Sequence, residues 1–219
     1  MAMNKQKGNM YAFVTHTWNP IKGKCIHDCE YCYMKVWPQK PIHLVEKELN
    51  DNLGEGNFIF IGSSTDMFAE DVPREWIIKV LNKCKEFNNK YLFQTKNTKR
   101  LLEFEEEFPE FTVLGTTIET NDIMDFSKAP TAKDRAKYLQ LTNTDTMVTI
   151  EPIVDFDIDG MVRLIKQINP MWVNVGADSK GHKLPEPSKE KIEALIKELE
   201  KFTEVKIKKT LHRLINNNE

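Results

Sequence analysis

Short apolar runs alternate with amphipathic stretches along most of the chain. Runs rich in β-branched and aromatic residues predict strands at residues 11–17 (YAFVTHT), 57–62 (NFIFIG), 90–95 (KYLFQT), 111–118 (FTVLGTTI), 146–150 (TMVTI) and 171–175 (MWVNV), with a last one at 204–208. Between them lie helical patterns. Residues 73–88 carry Trp76, Ile77, Val80, Leu81, Cys84 and Phe87 at helical spacing, with Pro73 near the start. Further helices are expected at 99–108, which is acidic, and at 132–141, 159–168 and 188–202, the last with Glu190 in its first turn. Residues 42–53 fit neither period cleanly.

A strand–helix unit recurring about every 30 residues implies parallel strands joined by right-handed helical crossovers. An open doubly wound sheet and a barrel both satisfy that rhythm. Eight repeats normally need about 250 residues. The expectation is an α/β fold in one domain over residues 1–219, in which six repeats, if barrel-like, would give an incomplete (β/α)6-type parallel barrel open at one side; the open sheet stays an alternative. Either architecture collects active groups at the C-terminal ends of the strands. Polar residues stand at those ends: Ser63, Ser64, Thr65 and Asp66, then Gln94, Thr95 and Lys96, then Thr116, Thr117 and Glu119, then Glu151, then Asn174 and Asp178. One pocket at one rim is the expectation.

Composition narrows the class. Hydrophobic content of 40% and charged content of 29% are ordinary for a globular chain, and the net charge of −2 gives no global basic field. No run of 18 apolar residues and no signal-peptide pattern occurs, so a cytoplasmic, membrane-free setting is expected. In a reducing compartment clustered cysteines point to metal or redox chemistry before disulfides.

The cluster is CIHDCEYC, residues 25–32, with Cys25, Cys29 and Cys32 spaced C-x3-C-x2-C. The remaining cysteine, Cys84, falls on the apolar stripe of a helix, where packing is its expected role. Zinc completed by His27 or His16 would make a Cys3His site. Alternatively, three thiolates on a four-iron cluster would leave one iron open. The spacing alone does not choose.

The C-x3-C-x2-C motif with Tyr31 before its last cysteine, placed after the first strand, resembles the signature of the radical S-adenosylmethionine superfamily. GSSTDMFAEDVP, FQTK, GTTIET, DRAKYL and TIEPI, in this order, resemble a family of small phage and bacterial three-cysteine proteins. More distantly they resemble the spore photoproduct lyases, without a counterpart of the lyases' later catalytic cysteine. The resemblance covers most of residues 14–178. It implies a partial barrel, a [4Fe-4S] cluster on Cys25, Cys29 and Cys32, and S-adenosylmethionine on the open iron. The reaction implied is reductive cleavage to a 5′-deoxyadenosyl radical.

The resemblance also implies a pocket map. Tyr31 would pack beside the cluster and the adenine, and Tyr33 would place its backbone at the adenine edge. Ser63, Ser64 and Asp66 would accept from the methionine ammonium. Lys96 would meet the carboxylate, and Thr117 and Glu119 the ribose hydroxyls or the carboxylate. Arg135, in the DRAKYL helix, would brace Glu119 or the carboxylate, and Glu151 would face the pocket. Each has a plainer alternative: loop packing for the tyrosines, a turn for the serines, a surface lysine, a solvated glutamate and a surface ion pair. His16 is either a core histidine or a donor to the cluster. The basic segment around His212 is either an exposed strand and helix or a nucleic-acid contact. The implied partners are an electron donor of flavodoxin or ferredoxin type and an unknown substrate, with nucleic acid as the class considered. The competing function is a non-enzymatic zinc- or cluster-binding module.

Overall fold

The structure is a computed structural model describing residues 3–123 and 125–216. Its framework is an eight-stranded sheet. Seven strands are parallel: β2 (His16–Trp18), β5 (Phe58–Ile61), β6 (Lys90–Gln94), β7 (Thr112–Thr117), β8 (Asp145–Ile150), β9 (Trp172–Val175) and β10 (Glu204–Ile207), in that spatial order. A short β1 (Asn4–Lys5) adds an antiparallel edge beside β2. The sheet is not closed, and the architecture is a partial β/α barrel. The crossovers carry α1 (Arg74–Lys85), α2 (Thr98–Leu101), α3 (Ala132–Leu139), α4 (Ile158–Ile168) and α5 (Lys189–Leu199), and α6 (His212–Ile215) ends the described chain. The first crossover has no α-helix. It holds the cysteines, a hairpin of β3 (Ile21–Lys22) and β4 (His43–Leu44), and a 3₁₀ turn at Glu46–Asn50. The ambiguous stretch 42–53 thus divides between a hairpin strand and that turn.

The period-two alternation of each strand sorts the core into two layers. Ile59, Ile61, Tyr91, Phe93, Leu114, Val148, Val173 and Val175 face the helices and pack with Ile77, Leu81, Cys84, Leu139, Ile165 and Leu195. Phe60, Leu92, Val113, Met147 and Trp172 face inward, where Tyr11 and Val14 join them. The interior is therefore plugged from below by the N-terminal segment: Tyr11 stacks on Phe13, whose ring meets Trp172 edge-on at 5.1 Å.

That plug corrects the expected strand at 11–17. Only His16–Trp18 pairs with β5, because the chain before it turns inward to deliver Tyr11 to the interior. The acidic helix expected at 99–108 is α-helical only to Leu101 and continues as a 3₁₀ turn over Leu102–Glu107. Phe104 fixes the segment by burial, and Glu103 and Glu107 reach Arg100 and Lys85. Among the described residues no helix is long and apolar enough to cross a membrane.

Candidate active site

A cavity of ≈ 540 Å³ opens at the C-terminal ends of the parallel strands. Its lining includes Cys25, Cys29, Cys32, Tyr31, Tyr33, Ser63, Ser64, Asp66, Lys96, Thr117 and Glu151, which the sequence scattered over more than a hundred positions. Glu119 and Arg135 lie behind the wall rather than in it, both fully buried. A second cavity of ≈ 590 Å³ sits at the opposite rim, lined by Asn57, Asn89, Lys90, Phe111 and Asp145 among others, and holds none of these residues.

The cysteines sit on a loop closed by its own ends: the Lys24 amide donates to the Lys40 carbonyl at 2.9 Å. Gly23 makes the closure possible. Its φ is +121°, and a Cβ there would lie 2.6 Å from the Ile42 Cα. The β7–α3 connection braces the loop from one side, with Glu30 N donating to Phe126 O at 2.9 Å and Lys128 N to His27 O at 2.7 Å. Ser127 Oγ lies 3.1 Å from Cys29 Sγ. All four cysteines are free thiols, and Cys84 is buried in α1. Burial, with Asp66 and Cys29 nearby, pushes the Cys25 thiol up to about 12. It stays protonated at neutral pH until a cation arrives, and a coordinated metal would deprotonate it outright.

Among the described residues no three His, Cys, Asp or Glu side chains converge as ligands of a single ion. A tetrahedral zinc site would bring its sulfurs to ~3.8 Å of one another, whereas a cuboidal cluster spreads its thiolates over separate irons. His27 is engaged elsewhere, with Nε2 2.9 Å from Asp66 Oδ2, and His16 bonds Thr15 Oγ1 and lies outside the cavity lining. Neither histidine is therefore placed to complete a Cys3His zinc site.

Asp66 is saturated. Its Oδ2 accepts from His27, from Thr95 Oγ1 at 2.9 Å and from the Lys96 amide at 2.8 Å, and Oδ1 accepts from the Phe68 amide at 3.0 Å. Burial would raise its pKa, but these bonds hold it below the ordinary carboxylate value. It therefore ties the cysteine loop to two strand ends. Ser63 Oγ donates to Asn19 Oδ1 at 3.1 Å, Ser64 N donates to the same oxygen at 3.0 Å, and the Tyr33 hydroxyl donates to Ser63 O at 2.8 Å.

Behind the wall, Glu119 gathers three partners. Arg135 Nη1 donates to its Oε2 at 2.8 Å, Lys96 Nζ lies 3.1 Å from Oε1, and the Tyr31 hydroxyl donates to Oε1. Burial opposes its charge, yet Lys96, Arg135 and the tyrosine hold its pKa down at about 2. Tyr31 in turn is pushed well above the phenol range, by burial first and then by Glu119 and Cys29, so it remains a donor. The solvated-glutamate and surface-pair alternatives for Glu119 and Arg135 are overturned: both are at 0% exposure. Arg135 also donates to Thr117 O and Pro130 O, while its Nη2 is buried without a partner.

Tyr11, Asn9, Ser127 and Lys208 were not legible as site residues. The Tyr11 hydroxyl donates to Gln94 Oε1 at 2.8 Å and accepts from Thr149 Oγ1 at 2.9 Å, forming the cavity floor. Lys208 Nζ lies 4.7 Å from the Tyr11 ring centroid and donates to Glu151 Oε2 at 2.5 Å and Asn9 O at 2.7 Å. Glu151 faces the cavity as expected, but as part of this latch. Of the two candidates near β9, Asp178 lines the cavity, whereas Asn174 is buried against Met147. His212 opens α6, outside the lining.

A family model described as "Protein of unknown function (DUF5131)" matches residues 9–201. The chain belongs to this family. No curated protein matches it. Among solved structures, a spore photoproduct lyase mutant with bound AdoMet and dinucleoside spore photoproduct is similar at TM-score 0.68 and 12% identity, covering 92% of this chain and 78% of that one. Spore photoproduct lyase complexed with dinucleoside spore photoproduct gives 0.66 and 11%, with the same coverage of 92% and 78%. At such identity the likeness establishes a shared fold.

Proposed function

We propose that this family member is a radical S-adenosylmethionine enzyme, a single catalytic unit with a [4Fe-4S] cluster on Cys25, Cys29 and Cys32. The observation that carries the reading is the placement of three free thiols, with no fourth cysteine beside them, in one cavity at the strand ends. Fold likeness to a structure with bound AdoMet supports it. When bound, the cluster and sulfonium cofactor supply reductive carbon–sulfur cleavage and a 5′-deoxyadenosyl radical.

The remaining work belongs to the chain. Ser63 and Ser64 offer oxygen acceptors to an ammonium group. Lys96, at a strand end and shared with Glu119, offers a cation to a carboxylate. Thr117 presents a hydroxyl, and Tyr31 and Tyr33 present aromatic faces to an adenine. Glu119 and Arg135 fix Tyr31 and Lys96 from behind, and Asp66 fixes the loop rather than taking the ammonium itself. Tyr11 and the Lys208–Glu151 pair close the floor against water, as a radical site requires.

For the substrate we favour nucleic acid. The neighbour's dinucleoside ligand supports this. So does the cavity lip, where Lys7, Lys24 and Lys180 have no side-chain partner among the described residues. Anaerobically reconstituted protein should hold about four irons and four sulfides and form 5′-deoxyadenosine with dithionite and S-adenosylmethionine. Cys29→Ala should lose both. Stoichiometric zinc without iron would establish the metal-module alternative instead.

A further inference from the structure

Three of the tryptophans serve the fold: Trp18 and Trp172 are buried, and Trp76 packs on the helix-side core. Trp37 does not. It joins neither core layer, makes no ring, cation or side-chain hydrogen-bond contact among the described residues, and is 57% exposed. An exposed indole adds little burial to a fold, yet the backbone beneath this one is firmly held. Tyr33–Val36 is a 3₁₀ turn that starts directly after Cys32. Trp37 N donates to Met34 O at 3.2 Å, and Gln39 Nε2 donates to Met34 O at 2.7 Å and to Trp37 O at 3.1 Å. The bond from the Tyr33 hydroxyl to Ser63 O anchors the other end of the turn. Tyr33, Met34, Lys35 and Gln39 line the cavity, so Trp37 stands at its rim, between lining residues. The free charge at this mouth has one sign. Every carboxylate that lines the cavity is engaged: Asp28 by Lys35 and Lys128, Asp66 by His27, Glu151 by Lys208 and Asp178 by His182. Lys7, Lys24 and Lys180 line the same cavity and have no side-chain partner among the described residues.

We propose that Trp37 is a stacking platform for a nucleobase of an unpaired nucleic-acid strand, flanking the nucleotide that enters the cavity. This rests on the nucleic-acid reading of the cavity and deepens it by naming the form of the strand and a contact outside the cavity. A flat indole face beside free ammonium groups matches the two chemistries that alternate along a single strand, base and phosphate. A duplex hides its base faces within its own stack and offers Trp37 only sugar and phosphate. Every base has a π-face, so the contact holds a strand without selecting its sequence. Because the turn is fixed by Gln39 and Ser63 before the strand arrives, binding has little backbone left to order. Selection of the reacting nucleotide is left to the cavity.

The test uses full-length, cluster-loaded protein and, as the probe, a fluorescein-labelled oligothymidylate of about twelve nucleotides, within the site sizes of single-strand binders. Trp37→Leu keeps apolar bulk and removes the π-face. By fluorescence anisotropy it should bind about tenfold more weakly than wild type, while Trp37→Phe keeps most of the affinity. The salt slope of Trp37→Leu should equal that of wild type, because no phosphate contact is lost. Indole emission of the wild type should be quenched on titration with the unlabelled strand, and Trp37→Phe should lose that quench. A duplex of the same length should compete poorly. Equal affinity of Trp37→Leu and wild type would overturn the proposal, and so would equal competition by the duplex. Conversion of a self-associating wild type to a monomer by Trp37→Leu, with strand affinity intact, would overturn it and assign the face to a second copy. Should Trp37→Leu lose its iron, the wild-type quench decides, and emission unmoved by the strand sinks the idea. A wild type that binds no strand at all removes the nucleic-acid reading as well, whereas a wild type that binds without Trp37 removes the platform alone.

Discussion

Glu119 is the residue on which the cavity wall depends. A fully buried carboxylate is tolerable only because an arginine fork, a lysine and a phenol surround it. Glu119→Gln leaves Arg135 and Lys96 without their counter-charge and should cost about 3–5 kcal/mol, read as a lower denaturant midpoint at pH 7. The sign of its pH dependence follows from its folded pKa of about 2, below the ordinary 4.5. Its contribution is complete above about pH 4.5 and fades as pH falls toward 2. The stability gap between wild type and Glu119→Gln should therefore narrow across that interval. A constant gap would mean that the carboxylate's charge is not what stabilises the wall. The sequence marked Lys96 and Glu119 as polar groups at strand ends, and the family resemblance set the helical Arg135 against Glu119 or a cofactor carboxylate, but neither said that all three would meet behind the wall. Their burial comes from three separate elements closing over them.

At the scale of elements, the N-terminal segment and the end of β10 form a latch across the barrel interior. Lys208 holds the Asn9 carbonyl and Glu151, and Gly176 leaves the room for Glu151 to be there. A Cβ at Gly176 would lie 2.7 Å from Glu151 Oε1. Gly176→Ala should displace the carboxylate and cost about 1–3 kcal/mol, measurable by thermal unfolding. Lys208→Ala should loosen the segment before β2 without unfolding the sheet. Limited proteolysis within residues 5–12 should then quicken while the far-ultraviolet circular dichroism stays unchanged. Equal cleavage rates would show that apolar packing of Tyr11 and Phe13 holds the segment alone. Residues 11–17 resembled a strand because they are rich in aromatic and β-branched residues, and a plug whose Phe13 ring meets Trp172 edge-on calls for the same residue types.

Across the whole molecule, the sheet order brings six strand ends and one cysteine loop to one rim. That is why a chain with net charge −2 can present lysines such as Lys7, Lys24 and Lys180 together at the cavity. If nucleic acid enters at this cavity mouth as proposed, the Lys7→Gln, Lys180→Gln double variant should bind single-stranded DNA more weakly and with a shallower salt dependence than wild type, read by fluorescence anisotropy, and equal slopes would place the contact elsewhere.

The sequence by itself determined the strand–helix rhythm, the parallel sheet and the three thiols on one loop. These depend on local periodicity and spacing, which are properties of neighbouring residues. It also carried the residues of the cavity wall, since apolar strands that end in polar groups deliver those groups to one rim. Only the tertiary structure decided which of these groups touch. Asp66 became a tie between loop and strands, Glu151 the centre of a latch, and Tyr11 the floor. Those roles rest on hydrogen bonds between residues as far apart as Asn9 and Lys208, and separations of that kind leave no periodic trace in the chain.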